Sequence, residues 1–597
     1  MPATTQPYVL RGLKGRSGTN PENIDDKEFQ TLQNWYAKDG VLKRRKGVSR
    51  VSGLANSSRI TGCGVFLPSG TNYELLLGLA DGVASLQSSQ ITTISTTTDD
   101  IPSSTALWFM QQYKNSMYFL RSDIGKLYRS DGDALNDTGI PAPTAAATIA
   151  QGATGNLAAG DYEVVYTYYN TNTGAESNPS PVSSQLTLAA NKTIDWSAIT
   201  VSSNPQVNAR KLYRSLKDQQ GEYFHVLTIL DNSTLVSGSE NTLLEDMGLP
   251  VEVSNGIPPT GLTMMTVHQE RMWISDGSLI YFSEFGLPES FKATSSLNVQ
   301  SDDGYSIQGL VSFGEILIIL KQNGVYFLSG SDEQSFTIRT LHDRHGCVSP
   351  HSVAVAENFA FWFGGDNFYL SDGNKVAAIG NLEVLDIVEG ISSDDYGLIQ
   401  GTVFPEEGWY MVGIPASGSI TSWLVYNYRS GDWSTITFDS AMGTPVFMEL
   451  VPDENGKPVL YCPFSASAHT GHIFRFMDPN EEDDFGSDIA CVLQTKNYGF
   501  QKEDSMKFMK DVQFLVSTTG AAEDVTVELW RDDESAAEAS QSINTFNKKL
   551  WKRIPIANNG KPGNFLSLRM TYSGNSDFQI MGFGFKIVDL QRQVPIL

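Results

Sequence analysis

The densest set of donor side chains in the sequence is "LHDRHGCVSPH", where His342, Asp343, His345, Cys347 and His351 fall within ten residues. Imidazole nitrogen and thiolate sulfur are the ligands zinc prefers. The spacing works against a metal: His-x-x-His on a turn-rich stretch lacks the helical i, i+4 step that aims two imidazoles at one point, and no remote ligand pair completes the set. These residues are expected to close a structural unit. His469 and His472 of "HTGH" meet the same objection with fewer donors.

Other chemistries find little purchase. No phosphate-cradling G-x-x-x-x-G-K-[ST], no G-x-S-x-G nucleophile turn and no convincing G-x-G-x-x-G dinucleotide fingerprint is present. The Asp-box of propeller glycosidases is absent as well, since "SGDWST" at Ser430 sets its Asp and Trp side by side. Paired carboxylates for glycoside hydrolysis cannot be placed from sequence alone. The acidic run "DPNEEDDFGSD" lacks the glycine and the terminal glutamate of an EF-hand loop and reads as a solvated linker. Cys63, Cys347, Cys462 and Cys491 are scattered without a C-x-x-C pair, as buried apolar residues would be. The expectation is a chain with no catalytic residues, no cofactor and no metal.

The elements that would carry any site repeat. "HQERMWISDGSLIYFSEFGLPESF" is an apolar strand, an Asp276-Gly277 turn and an aromatic return. The outline recurs in "SFGEILIILKQNGVYFLSGSDEQSF" and "ENFAFWFGGDNFYLSDG", with steps of 45 and 43 residues between Tyr281, Tyr326 and Tyr369. Looser copies lie on both sides, and seven units can be counted. Hairpins at a period of 40 to 50 residues predict a β-propeller, with a large antiparallel sandwich as the alternative.

Between the second and third units the pattern changes. Residues 143–258 alternate strictly through Tyr162, Val164, Tyr166 and Tyr168 and turn at Ser/Pro-rich segments, as a seven-stranded sandwich would. "AGDYEVVYTYYN...GAESNPSP" and "RKLYRS...GEYFHVLTI" resemble a fibronectin type III domain, which would project sideways from the propeller. Residues 489–597 hold a further set of alternating strands. The predicted fold is all-β: an arm at 1–55, first propeller units at 56–142, the inserted fibronectin III-like sandwich at 143–258, remaining units at 259–478 and a C-terminal β-sandwich at 489–597. Within the arm, Asp26 to about Trp35 is expected to be helical.

Charge is uneven. The 597 residues carry a formal net charge of -25, yet residues 1–50 hold ten Lys/Arg against five Asp/Glu. The acidic body argues against a conventional DNA binder, which needs a basic footprint. Lys43, Arg44, Arg45 and Lys46 form the strongest basic cluster and are the candidate assembly interface, set against an acidic neighbour. With no apolar run near 18 residues and no apolar core at the N-terminus, the chain is expected to be soluble and made in cytoplasm.

Two segments resemble one family. "GLKGRSGTN...NWYAKDGVLKRRKGV", with its Asn before a Gly turn and a basic "RRxG", and "TMMTVHQERMWISDGSLIYFSEFGLPESF" resemble the tail nozzle (tail tubular protein B type) of short-tailed bacteriophages. The resemblance covers the arm and the central units; the C-terminal sandwich matches by class only. It implies a virion tail protein, not an enzyme, forming a homohexameric ring below the tail adaptor, with tail fibre or needle proteins around or beneath it. Genomic DNA would pass through the ring without specific binding. Six copies would carry -150, and an acidic wall lets a polyanion slide where Lys/Arg rings would hold it. Asp478, Glu481, Glu482, Asp483, Asp484 and Asp488 are then the candidate acidic channel or loop residues. The alternative is a receptor-binding or glycan-degrading propeller at the tail tip.

Overall fold

A computed structural model describes residues 5–11, 25–51, 58–68, 73–87, 90–96, 101–132, 134–500, 506–518, 524–532, 537, 539–544, 550–555 and 562–590. Strands dominate, and among the described residues the one α-helix is Leu382–Glu389. No described helix is long and apolar enough to cross a membrane.

Seven blades make the propeller, antiparallel but for the short Ser95–Thr96/Ala134–Asp137 pair of blade two, and they follow chain order except that blade seven borrows its outer strand from the N-terminal segment. Their innermost strands are Ile60–Phe66, Trp108–Tyr113, Met264–His268, Ile307–Phe313, Ala354–Ala356, Gln400–Phe404 and Glu449–Pro452. The blade-seven inner strand packs on that of blade one, which closes the ring. A sheet is apolar on both faces only if both are covered, and here each gap between neighbouring blades holds one apolar cluster. Trp273 and Trp362, for example, are almost wholly buried in two of these seams.

The repeated turn has a chemical reason. In blade three Asp276 accepts from the amides of Ser278 and Leu279 at 2.7 and 2.8 Å, while its other oxygen accepts from Tyr281 at 2.9 Å. Asp366 accepts from Tyr369 at 2.9 Å in blade five. Tyr326 instead donates to Gln300, on the connection from blade three, at 2.7 Å. Aromatic residues at the start of each return strand thus tie a turn, or a neighbouring blade, to the hairpin.

The N-terminal segment is not a free arm. Thr5–Arg11 pairs with Phe578–Leu590 of the C-terminal sandwich, Trp35–Lys38 and Val41–Arg44 extend the same sheet, and Gly47–Arg50 is the outer strand of blade seven. The stretch expected to be helical is the strand Phe29–Gln33. Phe29 and Leu32 stand three apart, as on a helix face, but a register shift between Phe29 and Thr31 turns both into the sandwich core. That strand lies between blade six and Ile489–Thr495, so one nine-stranded sheet runs from the propeller into the C-terminal sandwich.

The insert leaves and returns at the outer edge between blades two and three, where Gly139 lies against Ile257. Its sheets Thr148–Leu157/Lys192–Ile199/Val236–Glu240 and Val164–Tyr169/Ala209–Ser215/Tyr223–Ile229 face each other across a core containing Tyr166, Trp196 and Leu212. Gly160–Tyr162 and Leu186–Leu188 add a short pair, making eight strands where seven were expected.

Candidate functional site

The basic run and the acidic run, separate candidates in sequence, meet at one junction. Arg45 forks onto Asp484 with contacts of 2.8 and 2.5 Å, and both side chains are about 1% exposed. Its Nε donates to Asn34 Oδ1 at 3.0 Å, and its guanidinium lies over the Phe438 ring at 4.7 Å. Arg44 donates to the Gly574 carbonyl at 2.6 Å and to Glu482 at 2.8 Å, and Lys46 pairs with the same carboxylate. Asn34 donates to the Ala490 carbonyl at 2.7 Å and accepts from the Thr437 amide at 3.0 Å. One asparagine thereby joins the N-terminal strand, blade six and the C-terminal sandwich.

The reading of Lys43 to Lys46 as a surface anchor is therefore corrected for Arg44 and Arg45, whose charges are spent inside the chain. Alternation on the strand Val41–Arg44 and the turn after it point both guanidinium groups inward, where burial demands a paired acid. Lys43 and Lys46 are half-buried.

The acidic run is likewise more than a solvated linker. Gly47 donates to the Glu481 carbonyl and Val48 to that of Asp483, so the run lies along the outer strand of blade seven. The approach is close enough that a Cβ on Gly47 would sit 1.9 Å from the Asp483 carbonyl oxygen, which explains glycine in "RRKG". Asp478 accepts from Ser49 at 2.6 Å, and Asp483 accepts from the Gly486 amide at 2.7 Å. Burial, with Asp478 and Asp483 nearby, raises the Glu481 carboxyl above its usual range. Asp488 is exposed.

The histidine-rich run disperses. His345 stacks on Tyr369 at 4.6 Å and lies 4.9 Å from His342, Cys347 is buried with its thiol on the Ser349 carbonyl, and His351 sits on the propeller axis. Among the described residues no group of three or more His, Cys, Asp or Glu converges to hold a metal.

The site that sequence reasoning missed is the axial channel, a cavity of about 510 Å³ lined by the inner strands of all seven blades. The imidazole of His351, just before blade five, stacks on Phe109 of blade two at 4.3 Å. Those blades stand three apart in the ring, so the stack crosses the axis. Burial holds the His351 imidazole down at about 4, hence neutral at pH 7. Glu449 of blade seven lines the same channel and is wetted by it, while the protein around it pushes its carboxyl up to about 7. Glu449 opens an inner strand at "MELVP", and nothing in the local pattern marks it apart from any surface glutamate.

Fold and junction define a seven-bladed propeller with an inserted and a C-terminal sandwich. No protein-family model matches the chain, and no curated protein matches it. Among solved structures it is similar to the Pan2 WD40 domain of Neurospora crassa, at 8% identity and a TM-score of 0.25, covering 72% of this chain and 96% of that one. The extracellular domain of a putative hybrid two component system from B. thetaiotaomicron is 11% identical, with a TM-score of 0.23 and coverage of 98% and 96%. A glycoside hydrolase family 43 arabinoxylan arabinofuranohydrolase from Bacillus subtilis is 9% identical, with a TM-score of 0.17 and coverage of 91% and 98%. The propeller assignment rests on the strand orders, not on these scores.

Proposed function

We propose that this chain is a structural protein of a phage tail, a nozzle subunit that assembles as a ring of six around the path of the genome. The observation that carries the reading is mechanical. A nine-stranded sheet makes blade six continuous with the C-terminal sandwich, and the N-terminal segment is woven into both blade seven and that sandwich. A ring that guides DNA under pressure needs subunits whose parts do not shift against one another, and this cross-weave supplies that. The acidic body suits a wall along which a polyanion slides.

The conduit would be the axis of the ring. The axis of one propeller holds a cavity of about 510 Å³, within the usual range for small-molecule pockets, about 300–1,000 Å³, and is crossed by the Phe109–His351 stack. For the alternative, a glycan-degrading propeller at the tail tip, two carboxylates would have to flank the bond. Among the described residues lining the cavity Glu449 is the one acid.

Genome release tests the reading. Glu481→Lys and Asp488→Lys change charge on the acidic run while sparing Glu482 and Asp484, which hold Arg44 and Arg45. In a conduit these lysines slow release at low ionic strength, and high salt restores it by screening. Release indifferent to every such substitution, with loss of glycan cleavage or receptor binding instead, would transfer the case to the tip reading.

A further inference from the structure

The axial channel holds more polar chemistry than a packing defect would. Among the described residues no hydrogen bond reaches the Glu449 carboxyl, which is exposed to the cavity. Gln400, on the inner strand of blade six, also lines the channel, is 7% exposed, and its amide has no protein partner. A primary amide more than nine-tenths buried and without a protein partner costs free energy unless water or a ligand in the cavity serves it, and the Glu449 carboxyl opens onto the same cavity.

The charge balance selects the ligand. The titratable groups lining the channel are Cys63 from blade one, His351 before blade five and Glu449 from blade seven. Burial pushes the Cys63 thiol well above its usual value and keeps the His351 imidazole neutral. The linings from blades two, three, four and six contain glutamine, threonine, serine and apolar side chains, with no lysine or arginine. Nothing in the described lining offsets a charge on Glu449.

We propose that this channel is a binding site for a small aliphatic ammonium ion, with Glu449 as its charge partner, the Gln400 amide as a second acceptor, and apolar walls for the alkyl chain. An ammonium group brings the positive charge and the N–H donors that the lining lacks. The methylene chain suits walls contributed by Trp108, Met264 and Phe447. An anion would face an uncompensated carboxylate, and a purely apolar guest would leave Glu449 and Gln400 unserved.

The test is calorimetric titration of the full chain with butane-1,4-diamine in 0.15 M salt, alongside the neutral butane-1,4-diol. The account expects one saturable site for the diamine, at least tenfold weaker binding of the diol, and at least tenfold weaker diamine binding by Glu449→Gln. Glu454→Gln, exposed on a turn of blade seven, controls for diffuse attraction to the acidic surface and should leave the affinity unchanged. Because the diamine stays charged throughout, affinity in the wild-type chain should also fall as pH drops from 8 to 6 and Glu449 takes up a proton. No saturable site, equal binding of the diol, or an affinity unmoved both by Glu449→Gln and by pH would overturn the proposal. Should Glu449→Gln fail to fold, the diol and pH arms decide.

Discussion

Arg45 and Asp484 show what the junction costs to break. Removing one partner of a buried ion pair leaves the other charge unserved, a loss of about 3–5 kcal/mol. Arg45→Ala should lower stability by that amount in denaturant titration, whereas Lys43→Ala, at a half-buried position, should change it by less than about 0.5 kcal/mol. Reversing Lys43, Arg44 and Arg45 together to Glu would set carboxylates against Asp484 and Glu482, so the expected result is loss of the fold. Equal, small effects for Arg45→Ala and Lys43→Ala would refute the junction. The channel predicts a pH dependence of opposite sign at its two groups. Glu449 has its folded value raised to about 7 from 4.5, so its contribution is present below 4.5 and is lost as pH rises through 7. His351 is held at about 4 against 6.5, so its contribution is present above 6.5 and is lost as pH falls towards 4. Melting temperatures should show Glu449→Gln gaining on the wild type with rising pH and His351→Gln gaining with falling pH; parallel pH profiles for all three would contradict the assignment.

At the scale of elements, the hairpins were legible because a turn of Asp, Asn or Gly between apolar and aromatic runs repeats, and each sequence unit lies in one blade. The role of residues 25–50 was not legible. A strand that completes a sheet hundreds of residues away has no local signature, and the i, i+3 spacing of Phe29 and Leu32 imitates a helix because a bulge turns both inward. For the same reason "RRKG" read as a surface patch: its partners Glu482 and Asp484 are remote in sequence, and only the closed ring brings them together. A chain beginning after Ser49 would lack most of the outer strand of blade seven, so it should fail to give a cooperative transition, and a peptide of residues 25–50 added in trans should restore one. The insert behaves oppositely. Because Gly139 already touches Ile257, joining the two ends by a short Gly-Ser link should leave the propeller transition in place, and residues 143–258 alone should show their own cooperative, β-type melt. Collapse of the propeller on excision would mean that the Arg129 contact to Gln206, which crosses between blade two and the insert, is required for the blade itself.

For the whole molecule, the all-β architecture followed from composition and periodicity, while the axial channel did not. Its polar residues come from separate blades, and sequence spacing says nothing about which inner-strand residues converge on one axis. The central claim is that this chain is a rigid ring subunit without turnover. It is tested most directly by electron microscopy of the purified full-length protein, with the same preparation incubated with host surface glycan. The account predicts closed six-fold rings, with the sandwich of residues 143–258 projecting from each subunit, and glycan left intact. Single subunits or trimers at every concentration, together with depolymerised glycan, would contradict it.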